Sequence, residues 1–148
     1  MNPEGGKTGF DFEETKLATY WRTNFTKLCL GTKFQNQNRF IAINKTADSL
    51  YSLIANDQPC PTSLGRNTWK TLFGDLAELE PNCNSEGFHP VCYASVKIRI
   101  GILANDADNC NQCGTYIAFG GMTGCLNLGF WSSNQPNLQK AMGYILVK

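Results

Sequence analysis

The chain has 148 residues, 42% hydrophobic and 17% charged, with a formal net charge of +1. A chain of this length buries about 68–70% of its unfolded surface, and the composition excludes a disordered tail-like protein and a coiled coil. Lys27, Lys33, Arg39, Lys45, Arg66, Lys70, Lys97 and Arg99 are scattered rather than gathered into a stripe, so nucleic acid is excluded as a partner.

Residues 1–18 read as a flexible lead, with Gly5, Gly6 and Gly9 followed by Asp11, Glu13 and Glu14. Its polar start reads as a mature N-terminus behind an added initiator Met, or as an artificial chain boundary, rather than as a signal peptide. Residues 19–148 read as one domain with no linker and no internal repeat. Phe25 to Leu30 and Arg39 to Asn44 are expected strands around an Asn36-Gln37-Asn38 turn. Asp48 or Ser49 can cap a short helix that carries Leu50, Leu53 and Ile54 on one face. A second helix is expected from about Gly65 to Phe73, with Gly74 at its C-terminal cap.

Ala94 to Ala104 is the strongest strand. Val96, Ile98, Ile100 and Ile102 alternate with Lys97, Arg99 and Gly101, which predicts one core face and one wet face. Lys97 and Arg99 also break the richest apolar run, which falls short of the roughly 18–20 residues a membrane-spanning helix needs. Membrane insertion is therefore not expected. Thr115 to Phe119 and Met142 to Val147 supply further strands, separated by a long Gly/Ser/Asn/Pro-rich loop from Gly120 to Leu138. The fold class read from these elements is α+β: a mainly antiparallel β-sheet with two short helices and long irregular loops, disulfide-stapled.

The staple is inferred from seven dispersed cysteines: Cys29, Cys60, Cys83, Cys92, Cys110, Cys113 and Cys125. Dispersed cysteines fit a covalent framework in an oxidising compartment better than a metal site. Asn24-Phe25-Thr26 and Asn44-Lys45-Thr46 are both N-glycosylation acceptors, which agrees with a secreted chain. The count is odd, so one thiol is free, modified or intermolecular.

His89 is the only histidine, and in Gly-Phe-His-Pro it reads as a surface turn residue rather than a catalytic base. Cys110-Asn-Gln-Cys113 is a lone CxxC ahead of a strand, which suits neither zinc nor thioredoxin-like chemistry. No motif meets nucleophile–base geometry, so no enzyme is expected. Asn105, Asp106, Asp108, Asn109 and Asn111 crowd seven positions after the best strand, and hard oxygen ligands of this kind suit calcium. The other reading of that stretch is a polar strand-to-strand loop. An EF-hand is excluded, because the twelfth position from Asp106 is Ile117. Trp21 and Trp69 read as core anchors, and Trp131 reads as a ligand-contact residue.

Six stretches carry a resemblance: Trp21 to Gly31, Ser49 to Ile54, Pro61 to Lys70, Asn82 to Phe88, Val96 to Ile102 and Lys140 to Val147. With these, the chain resembles a domain of secreted cnidarian proteins, including stony-coral skeletal organic matrix proteins, over roughly residues 20–148. The resemblance implies an extracellular location. More remotely, Asn105-Asp106, Cys110-Asn111, Gly120-Gly121 and Tyr144 to Val147 resemble, in order, the C-terminal half of intelectins, calcium-dependent lectins. Gln112, Cys113, Met122 and Thr123 depart from the histidines and glutamate of that lectin pattern. The same resemblance implies disulfides Cys29–Cys125 and Cys60–Cys110, then Cys83–Cys92 as a local loop, with Cys113 left over.

These features point to a secreted, extracellular, lectin-like binding module for a glycan or matrix ligand. It would use the 105–111 loop, with Asn111 and Trp131 as contacts and calcium as the one candidate cofactor. The competing expectation is a structural extracellular-matrix protein assembled as a homo-oligomer through the odd cysteine.

Overall fold

The computed structural model describes residues 16–92, 96–107, 114–123, 129–132 and 135–148. Strands β1 (Phe25–Phe34) and β2 (Gln37–Ala47) form a hairpin, and β10 (Met142–Val147) pairs antiparallel on the other side of β1. The hairpin turns at Gln35 and Asn36, one residue earlier than the sequence suggests. Both take left-handed φ values (48° and 58°), as a two-residue turn matched to strand twist requires.

The larger sheet runs in the order β3 (Cys60–Pro61), β4 (Asn82–Phe88), β6 (Val96–Asn105), β7 (Thr115–Thr123), β8 (Gly129–Ser132), β9 (Gln135–Lys140). The short β5 (Val91–Cys92) also pairs with β6. Every pairing is antiparallel. The expected loop from Gly120 to Leu138 therefore contains strands. Gln135-Pro-Asn-Leu-Gln-Lys has no apolar alternation, and its place at the sheet's edge tolerates Pro136.

Among the described residues there are three short α-helices, α1 (Thr19–Arg22), α2 (Leu50–Ile54) and α3 (Arg66–Lys70). Of the two cap candidates, Ser49 is the one used. Its hydroxyl accepts from Ser52 N at 3.0 Å, and Ser49 N donates to the Ser52 hydroxyl at 3.1 Å. Ser49→Ala is expected to lose about 1 kcal/mol of stability in denaturant unfolding. Helix α3 is shorter than expected, and Gly74 beyond it takes φ +66°. Among the described residues no helix is long and apolar enough to cross a membrane.

The two sheets face each other across one core. Leu28, Leu30, Ile41 and Ile43 of the smaller sheet meet Phe88, Ile100, Ile102, Ile117 and Phe119 of the larger. Trp69, Leu72, Phe73, Leu50 and Ile54 belong to the same core. A smaller cluster of Ile98, Leu103 and Ala118 is also buried. The expectation of a wet face on β6 is thus corrected. The strand lies mid-sheet between β4 and β7 and is buried from Ile102 through Asn105.

Glu86 of β4 joins the larger sheet to α3. Its carboxylate is buried and accepts from the Thr62 hydroxyl (2.8 Å), Leu64 N (3.0 Å), Gly65 N (2.8 Å) and Trp69 Nε1 (2.7 Å). Burial alone would raise its pKa. The hydrogen bonds from Trp69, Gly65, Thr62 and Leu64 outweigh that and hold it below the ordinary value.

Candidate functional site

A cavity of about 500 Å³ opens where the inner face of β10 meets β6 and β7 beneath α1 and α2. Its apolar walls include Leu50, Ile54, Ile100, Phe119, Ile145 and Val147. Strand alternation explains the β10 side. Ile145 and Val147 lie in register with Leu30 and Leu28, whose side chains point into the core.

Two cations line the same cavity, Arg99 from β6 and Lys16 ahead of α1. No carboxylate lines it among the described residues. Gly120 takes φ +75°, and a Cβ there would lie 3.3 Å from Arg99 Cδ, so the glycine leaves room for the arginine stem. Arg99 has no ion-pair partner among the described residues. The Lys16 ammonium sits 4.4 Å from the Tyr20 ring centroid and 5.5 Å from that of Trp21, within cation–π range.

Tyr20 completes the polar lining. Burial raises its phenol pKa, the Arg99 charge partly offsets this, and Tyr51 adds to the rise. The hydroxyl is therefore a neutral hydrogen-bond donor at physiological pH. Trp21 and Tyr51 lie beside it, 49% and 46% exposed, with ring centroids 5.1 Å apart. The expectation of Trp21 as a core anchor is corrected. α1 is a single turn on the surface, and its indole forms an aromatic rim. Trp69 is fully buried, as expected of an anchor.

The sequence-chosen loop lies elsewhere. Asn105 ends β6, about 20 Å from Arg99 at strand rise. Asn105 is buried, and its Oδ1 accepts from Ala107 N at 2.7 Å. Asp106 is exposed; its Oδ1 accepts from the same N–H at 2.7 Å, and its carbonyl accepts from Asn82 Nδ2 at 2.7 Å. These oxygens close a local Asx-type turn. Asp108, Asn109, Cys110, Asn111, Cys113 and Cys125 lie outside the described residues. Trp131 is on β8 opposite Tyr116. Among the described residues no group of three or more His, Cys, Asp or Glu could hold a metal ion.

His89 is buried, not on the surface. Its Nε2 is 3.0 Å from the Ile54 carbonyl and its Nδ1 is 3.6 Å from the Asp57 carboxylate. The ring bridges the end of α2 to the turn after β4. Asn24 and Asn44 are both exposed, the first between α1 and β1 and the second on β2.

The disulfide scheme is corrected at three points. Cys29 and Cys60 are free. Cys29 sits mid-sheet opposite Ala42 and Leu146, and Cys60 Sγ accepts from Lys45 Nζ at 2.9 Å. Cys83 is disulfide-bonded, but Cys92 cannot be its partner. On the shared neighbour β6, Cys92 faces Val96, whereas the residues flanking Cys83 face Asn105 and Leu103. That offset is roughly 25 Å at strand rise, and a bridge needs Cα atoms within about 7 Å.

No protein-family model, no curated protein and no solved structure matches the chain.

Proposed function

We propose that the chain is an extracellular, non-enzymatic binding module whose ligand sits in the cavity beneath α1 and α2. The ligand is an amphipathic acid, with an apolar body against Ile54, Phe119 and Ile145 and an anionic head at Arg99. One observation carries this reading: a guanidinium lining a largely apolar cavity with no carboxylate opposite it among the described residues. Arg99 is half-buried beside apolar walls, and an anionic ligand head placed there pairs with its guanidinium by charge-assisted hydrogen bonds. The Tyr20 hydroxyl adds a neutral donor, and Lys16 extends the positive field towards the mouth. Pockets of this size with apolar walls and a few polar groups suit small molecules.

The extracellular part rests on two exposed glycosylation acceptors and on the resemblance to secreted matrix domains. This reading replaces glycan recognition by the 105–111 loop with binding of an amphipathic acid in the cavity.

Isothermal titration with decanoate, decanol and galacturonate tests the proposal. Decanoate is expected to bind more tightly than decanol, and Arg99→Gln to weaken decanoate about tenfold or more while leaving decanol unchanged. Equal binding of decanoate to both proteins would remove Arg99 from the site. Binding of galacturonate without decanoate would replace the apolar body by a sugar ring.

A further inference from the structure

The two free cysteines among the described residues have different surroundings. Cys29 lies mid-strand in the smaller sheet, and burial pushes its thiol pKa up. Cys60 is half-buried and lies 2.9 Å from the Lys45 ammonium nitrogen. Lys45 has no carboxylate partner among the described residues. The pair spans the sandwich, since Lys45 is on β2, an edge of the smaller sheet, and Cys60 is on β3, an edge of the larger. Oxidisable thiols sit beside cations in partly exposed places, and Cys60 meets both conditions.

We propose that Lys45 and Cys60 form a redox-modification site, in which peroxide oxidises the Cys60 thiol and the Lys45 amine captures the sulfur as a covalent N–S cross-link. In the first step hydrogen peroxide transfers one oxygen to sulfur. The O–O bond breaks, the thiol becomes a sulfenic acid, sulfur loses two electrons and one water leaves. In the second step the Lys45 ammonium releases one proton to solvent, and the neutral nitrogen attacks that sulfur. The S–O bond breaks, and the hydroxide departs with the amine proton as a second water. The product lacks two hydrogens relative to the starting pair. A dithiol reverses it by returning both hydrogens and becoming a disulfide itself. The link ties the edges of the two sheets, so it acts as a clamp on the sandwich and is separate from the cavity.

The test is peptide mapping by mass spectrometry of the folded protein before and after dilute hydrogen peroxide. A Lys45–Cys60 linked peptide, lighter by two hydrogens and cleaved by dithiothreitol, is expected in the native chain. Lys45→Arg keeps the positive charge but removes the nucleophilic amine. There Cys60 is expected to stop at the sulfenic acid and be trapped by dimedone, with the circular dichroism spectrum unchanged. Three results would each overturn the proposal: Cys60 in a disulfide before treatment, Cys29 oxidised ahead of Cys60, or native Cys60 oxidised without the lysine link.

Discussion

Glu86→Gln is expected to cost about 2–4 kcal/mol of folding stability, read from urea unfolding at neutral pH. The carboxylate accepts four hydrogen bonds from residues 62–69, and all four come from donors. A glutamine keeps one acceptor oxygen and turns an NH2 towards N–H groups that have no other partner. The buried Trp69 Nε1, or the part-buried N–H groups of Leu64 and Gly65, then lose their acceptor, which costs more than a missing surface contact. A loss below about 1 kcal/mol would show that the shape of the side chain, rather than its charge, holds α3 to β4.

The same group sets an acid limb. Its folded pKa is lowered, so folding favours the ionised form. The stability it supplies is fully present above the ordinary glutamate value of 4.5 and is lost as pH falls from there through the lowered folded value. Wild-type stability should therefore decline through that window, and the Gln variant should lack this part of the decline.

What can be read from the sequence is local. Ser49 caps α2 through Ser52, three residues away, and the Leu50 and Ile54 face follows from helical spacing. Phe25 to Leu30, Arg39 to Asn44 and the β10 segment show enough apolar alternation to be strands on their own. β4 does not. Asn82-Cys-Asn-Ser-Glu-Gly-Phe has no period, and a register shift between Asn82 and Ser85 interrupts its pairing. Glu86 is invisible for the same reason, because its donors lie 17 to 24 positions upstream and only tertiary packing brings them in.

A sound rule applied too far misplaces the site. Alternation along Ala94 to Ala104 says which residues share a face, but it does not say what covers the other face. It assigns Arg99 to solvent, whereas Arg99 is half-buried and lines a cavity with residues of α1 and α2. The cysteine count likewise points to covalent pairing without geometry. Register leaves Cys29 among strand neighbours with no cysteine opposite it, and packing places Cys60 against an ammonium.

Gly87→Ala is expected to lose roughly 3 kcal/mol or more and to leave much of the chain unfolded at 37 °C. Gly87 has φ +121°, and a Cβ there would lie 2.4 Å from the Cys60 carbonyl oxygen, 2.7 Å from Thr62 N and 2.9 Å from Pro61 Cα. All three are backbone atoms, so no side-chain rotation relieves the clash; β3 must move away from β4. Gly65→Ala is the control. Gly65 has φ +82° with nothing within 4 Å of the place its methyl group would take, so that variant bears backbone strain alone, about 1–3 kcal/mol. The difference between the two unfolding free energies reads the steric part at Gly87. Displacing β3 also carries Thr62 away from Glu86, whose carbonyl accepts from Thr62 N at 3.1 Å. Gly87→Ala and Glu86→Gln therefore damage one junction, and their combined loss should fall short of the sum. A strictly additive double variant would mean that the β3–β4 contact and the α3 anchor are independent.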